Sequence, residues 1–285
     1  MAAQIKLAVD AGHGSTTAGK RTPPMPQDID FEKDGVIDVE AGEAIREHWP
    51  NVGVAYFTAK YLKKWGFEIV KVGWDDKNSK DDPDTPLWQR QETIRKEGCR
   101  ASVSCHINAF GYGEDFNSAQ GIETLIHSIE KNRNDSEALA QKIQARISGG
   151  TEQKNRGVKS ANLAMCNAVA MGTQASVLCE YAFMTNEMEA YLIGDRNFWK
   201  ECGKETALGI RDYLWKKPKD TIKQETATEG EVIWIQIKLR LAGEDIVTTG
   251  VWDDQTVAAV KSFWMKKGEK HSGKAVSKKC VKMLA

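Results

Sequence analysis

The chain reads as an α/β fold: a twisted mixed or parallel sheet flanked by helices, with a small C-terminal helical domain. Three observations predict it. Strand-like and helix-like segments alternate from Ile5 to about Trp215, the alternation stops at a polar stretch beginning at Lys216, and the tail beyond has helical spacing. With 285 residues, 41% of them hydrophobic and 28% charged, the chain has room for one large domain plus a small one.

The elements follow in order. IKLAVD, from Ile5 to Asp10, is an apolar run bounded by Asp and Gly and reads as a buried strand. In VGVAYFTAKYLKKWG, residues Val54, Phe57, Tyr61, Leu62 and Trp65 recur at helical spacing, with Gly66 placed as a C-cap. FEIVKVG is a strand and PLWQRQETIRKEG a helix, and ASVSCHINA and GIETLIHSI are strands. NDSEALAQKIQARIS is an amphipathic helix with Asn134 or Asp135 available as its cap. ASVLCEYAF is another strand, and NFWKECGKETALGIRDYLW closes the domain as a helix. The expected boundaries are 1–215 for the main domain, 216–228 for a linker and 229–285 for a three-helix domain.

Acidic and basic residues number 40 each, so no overall charge favours nucleic acid as a partner. From Lys216 onward there are 14 basic and 9 acidic residues, a modest excess that suits an anionic polymer or simply a solvated surface. No apolar run approaches the ~20 residues of a membrane span, so no membrane insertion is expected. The start, MAAQIKLAVDAGHG, has no apolar export core, which predicts synthesis and folding in a cytoplasm. The six cysteines are scattered without a CxxC pair and read mostly as buried free thiols.

The chemistry concentrates at strand ends. His13 follows the first strand between Gly12 and Gly14, at the carboxyl edge of the sheet, where α/β folds build sites. In SVSCHINAF, Ser104 and His106 share one strand face and Cys105 takes the other, so His106 can point into the same edge. Two imidazoles and one carboxylate leave an open position on Zn²⁺, and Glu47 of EHWPN stands just before a helix. Glu40 and Glu43 on the same acidic stretch are alternatives to it. Glu180 of VLCEYAFMTN ends an apolar strand, suited either to acid–base work or to a structural salt bridge.

Together DAGHG, EHWPN, SCHINA and CEYAFMTN resemble, in order, the motifs of the zinc-dependent N-acetylmuramoyl-L-alanine amidases called Amidase_3. Arg90 ahead of the histidine strand and NRGVK at Asn155 to Lys159 are similar too, and the resemblance covers nearly all of residues 4 to 215. It implies that His13, Glu47 and His106 are zinc ligands, that Glu180 is the general base, and that the substrate is peptidoglycan. Ser15 and Ala182 depart from the family's frequent glycines without removing a functional group. The tail resembles a three-helix peptidoglycan-binding module, with Thr249-Gly250 in place of the usual Asp-Gly. Of Trp234, Trp252 and Trp264, at least two are expected in its core rather than stacked on sugar. A lytic enzyme without an export signal but with a wall-binding tail implies a phage-type endolysin, with a mother-cell lytic enzyme as the rival. A zinc peptidase acting on stem peptides and a non-catalytic wall binder are the alternatives in function, and the oligomeric state is left open.

Overall fold

A computed structural model of the chain describes residues 2–76, 78–111, 113–129 and 131–284. It divides into two compact units, one of Leu7–Tyr61 and Ile69–Ile210, the other of Met1–Lys6, Leu62–Glu68 and Arg211–Ala285.

The larger unit is built on β1 (Lys6–Ala11), β2 (Glu68–Val72), β3 (Ala101–Asn108), β4 (Ile122–His127), β5 (Asn155–Ala161) and β6 (Ala175–Phe183). They form one six-stranded sheet in the order β2-β1-β3-β6-β4-β5. β1, β3 and β6 run parallel, β4 is antiparallel to β6, and β5 is parallel to β4. The fold is therefore the mixed α/β sheet that the alternation predicts. Val9, Val103 and Val177 are register partners across the three parallel strands, all at most 1% exposed. Burial on both faces is why these strands read as apolar runs rather than as alternating patterns.

On one face, α2 (Leu87–Glu97), a 3-10 turn (Ala164–Cys166) and α4 (Ala168–Met171) place Ile94, Met165 and Met171 against Ala8, Leu125 and Leu178. On the other lie α3 (Arg133–Gly150) and α6 (Arg196–Leu214), with Tyr181 of β6 hydroxyl-bonded to Thr206 at 2.9 Å. α1 (His48–Lys64) packs on α6 where Gly53 meets the Trp199 ring and Gly203 meets Phe57.

Several local expectations change. α1 starts at His48, ahead of the apolar spacing. Asn132 holds the N-cap position of α3, so Asn134 and Asp135 lie inside its first turn. α4 and α5 (Glu187–Ile193), of 4 and 7 residues, are too short to show a periodicity and lie outside the elements that the sequence predicts. All six cysteines are buried thiols, none of them in a disulfide.

The smaller unit carries α7 (Glu229–Leu241), α8 (Asp254–Met265), α9 (Lys278–Leu284) and a ribbon of β7 (Ile222–Lys223) with β8 (Ala275–Val276). β7 falls inside the stretch expected to be a linker. Ile222 is buried there with Val276 and Trp252, a lone apolar residue in a polar run that gave no periodic signal. Trp234, Trp252 and Trp264 are all core, which removes all three from sugar stacking. Buried Gln236 donates to Thr249 and Thr256 and accepts from the backbone N–H groups of Thr249 and Gly250, so the Thr-Gly turn is pinned from inside. The unit also recruits distant chain: Thr248 donates to the carbonyls of Gly66 and Trp65, and Ile5 N–H donates to Thr248. Among the described residues no helix is long and apolar enough to cross a membrane.

Candidate active site

Three parallel strands deliver three candidate side chains to one edge of the sheet. β1 ends at Ala11, and His13 follows in a left-handed conformation, φ +64°, which is uncommon for a residue with a Cβ. A buried guanidinium holds this turn. Arg90 of α2, 2% exposed, donates to Asp10, to the Thr85 carbonyl at 2.8 Å and to the carbonyls of Ala11 and His13. Asp10 also accepts from the Ser104 hydroxyl, so both of its oxygens are engaged. Gly12 must lack a side chain because a Cβ there would overlap the His106 ring.

Glu47 occupies the N-cap position of α1: its carbonyl accepts from Asn51 N–H, and its carboxylate sits where a helix N-terminus favours negative charge. Pro50 falls in the first turn, where a missing N–H costs nothing. Glu47 is 1% exposed. Its Oε1 accepts from Asn51 Nδ2 and Ile107 N–H and lies 3.1 Å from His106 Nδ1. Its Oε2 is 3.2 Å from His13 Nε2 but has no aligned hydrogen-bond partner. Burial opposes the charge on Glu47, but its contacts with His106 and His13 overcome that and hold the carboxyl well below its usual range. For His106, burial favours the neutral ring, yet the Glu47 carboxylate wins and raises its pKa.

The structure thus brings His13, Glu47 and His106 together, with one ligand-type atom from each within 4.8 Å of the others and the imidazoles edge to face at 5.0 Å. Glu40 and Glu43 are exposed and outside the group. The donor set fits a divalent cation: two imidazoles, one carboxylate and a buried oxygen left without a hydrogen bond. Glu180 lies next to it on the adjacent strand, as the register partner of His106. Its Oε2 is buried without a hydrogen-bond partner, and burial pushes its pKa up to about 8, with the carboxylates of Glu47 and Glu123 adding to the shift. A cleft of about 320 Å³ opens beside His13 and His106, walled by Asp84, Pro86, Leu87 and Met165.

Several residues around the site carry no sequence signal for their role. His48 is buried, bound to the Gly12 carbonyl at 2.8 Å and to Asp82 at 3.0 Å, which makes it a brace for the His13 loop. Asn51 donates to both Gly12 O and Glu47. Glu123 of β4, register partner of Glu180 on its other side, accepts from Asn108, Arg156 and Lys159. Of the remaining histidines, His127 bonds Asn162 at the end of β4 and His271 stacks on Trp264 in the smaller unit.

A mixed α/β sheet with a His–Glu–His cluster and a further buried carboxylate at its strand ends defines a class: enzymes built like metal-dependent hydrolases. The chain belongs to the N-acetylmuramoyl-L-alanine amidase family Amidase_3, which matches residues 7–212. It is 30% identical over 136 residues to an uncharacterized cell wall amidase of Bacillus anthracis, a match spanning 46% of this chain and 24% of that protein. Among solved structures it resembles an N-acetylmuramoyl-L-alanine amidase from Clostridium difficile 630, with 22% identity, TM-score 0.56 and coverage of 74% of this chain and 97% of that one. It also resembles the catalytic domain of the amidase CwlV from Bacillus (Paenibacillus) polymyxa var. colistinus, at 21% identity, TM-score 0.55 and coverage of 74% and 98%. These two likenesses carry the fold.

Proposed function

We propose that the chain is a zinc-dependent peptidoglycan hydrolase that cleaves the amide between the lactyl group of N-acetylmuramic acid and L-alanine. The observation that carries this reading is the convergence of His13, Glu47 and His106, with Glu180 in register beside them, in a member of this family. His13, Glu47 and His106 are the residues that would hold the ion. When bound, zinc supplies Lewis acidity, lowering the pKa of water toward ~7 and polarising a carbonyl oxygen.

The remaining work belongs to the chain. Glu180 takes a proton from the attacking water and delivers it to the departing L-alanine nitrogen, help worth roughly 10²–10⁴-fold. Its desolvation supports this role, because a raised pKa makes the carboxylate a stronger base near neutral pH. Arg90 and His48 keep the His13 loop in its strained form, and Asn51 and Ile107 N–H orient the Glu47 carboxylate. The same reading makes the smaller unit a wall anchor, and the protein a lysin.

Mass spectrometry of digested peptidoglycan tests the reaction. Unsubstituted muramic acid together with a new L-alanine amino terminus, lost on chelation and restored by zinc, is the expected outcome. A new amine elsewhere in the stem would make the protein a peptidase, and intact wall would make it a binder.

A further inference from the structure

A groove of about 730 Å³ has no part in the assignment above. Its lining comes from the stretches around Arg21 and Arg46, with Gly113 and Glu114 added from the loop that follows the His106 strand. Arg21 and Arg46 face each other in it as an isolated antiparallel bridge. Directly opposed like charges destabilise a strand pair unless something neutralises them. Among the described residues neither guanidinium has a carboxylate within ion-pair distance or a hydrogen-bond acceptor, although Glu43 and Glu114 line the same groove. Trp49 lines it as well, half-buried against Phe31, and its Nε1 is buried without a hydrogen-bond partner.

The arginine pair is tied to the site. Arg46 immediately precedes Glu47, and Arg21 follows Lys20, whose carbonyl accepts from Glu47 N–H at 3.0 Å. Successive residues of an extended peptide advance about 3.3–3.6 Å each, so a peptide whose scissile amide lies at the His–Glu–His cluster spans roughly 7–11 Å to its second or third residue. Planar guanidiniums suit carboxylates, which accept two parallel N–H bonds. We infer that Arg21 and Arg46 form a subsite for a free carboxylate on the peptide side of the scissile bond, with the residue after L-alanine as its source. The inference rests on the amidase reading for the direction of the peptide.

The test uses the full chain, with N-acetylmuramoyl-L-alanyl-D-glutamate and its bis-amide as probes. Calorimetry on the metal-free protein measures binding without turnover. The expected result is that the acid binds about tenfold or more tightly than the amide, that Arg21→Ala/Arg46→Ala abolishes this preference, and that Arg21→Lys/Arg46→Lys retains part of it. Unchanged zinc uptake and melting temperature show that the variants are folded. Equal affinity of the unmodified protein for the two probes, or a preference that survives in the double alanine variant, overturns the subsite. Cleavage is scored separately: a zinc-loaded protein that cuts neither probe nor intact peptidoglycan defeats the amidase reading, while the carboxylate preference is still decided by the binding data.

Discussion

His106 and Glu180 are register partners on the adjacent parallel strands β3 and β6, one contributing to the His–Glu–His cluster and the other ending in a buried, unsatisfied carboxyl oxygen. Neighbouring strands lie about 4.8 Å apart, so backbone pairing alone sets the spacing between the candidate ligand and the candidate base. Glu180→Ala is expected to keep about one zinc per chain yet lose nearly all turnover, measured by metal analysis alongside cleavage. Loss of metal together with activity would make Glu180 a ligand instead.

The same glutamate sets a pH dependence in the metal-free protein. Its folded pKa of about 8 exceeds the ordinary 4.5, so between these values the native state keeps a proton that the unfolded chain has released. Stability is unaffected below the lower value and declines as pH rises through the window, by up to a few kcal/mol. Glu180→Gln removes the penalty. Melting curves of the two proteins should coincide near pH 4 and separate progressively toward pH 8, with the variant higher.

Metal uptake should run the other way with pH. Glu47 holds a proton on His106 above the ordinary imidazole range, and that proton must leave for the nitrogen to ligate. Zinc affinity is expected to rise with pH, roughly tenfold per unit while one proton is displaced, in competition titrations with a chelator of known affinity. His106→Ala should abolish tight binding at every pH.

Arg90 and Asp10 are buried partners, and removing one strands the other. Arg90→Ala is expected to destabilise the protein by about 3–5 kcal/mol, and Arg90→Lys by less, in urea unfolding. Asp10→Asn in the alanine background should restore part of the loss. Because Arg90 also grips the His13 carbonyl, zinc affinity should fall even in variants that remain folded.

Glu123 flanks Glu180 on the side opposite His106, and its charge raises the Glu180 pKa. Glu123→Gln should therefore shift the acid limb of the pH–rate profile to lower pH, since Glu180 loses its proton more readily. An unmoved limb would leave Glu123 a purely structural anchor for Arg156 and Lys159.

What was readable in the chain was whatever depends on short spacing. The apolar runs that became β1, β3 and β6 mark themselves, and His13 lies just past the first. His106 and Glu180 lie among the last residues of the other two, each strand running on beyond them to Asn108 and Phe183. Glu47 was reachable through the order of motifs, because its partners lie 34 and 59 residues away and no local pattern joins them. Arg90 and Asp10, 80 residues apart, could not be paired from periodicity, nor could Gln153 be seen donating to the Tyr181 carbonyl. Short elements failed for a related reason: a two-residue strand such as Ile222–Lys223 owes its existence to its partner Ala275–Val276, not to its own composition.

Thr248 takes up the carbonyls of Trp65 and Gly66, while its own carbonyl receives Ile5 N–H. A fragment trimmed after residue 215 would leave those main-chain groups in search of water or of one another. The tail therefore cannot be exchanged as a free cassette between chains. A transplant would have to bring this chain's own 62–68 turn and first residues with it, or redesign the recipient's to suit the newcomer.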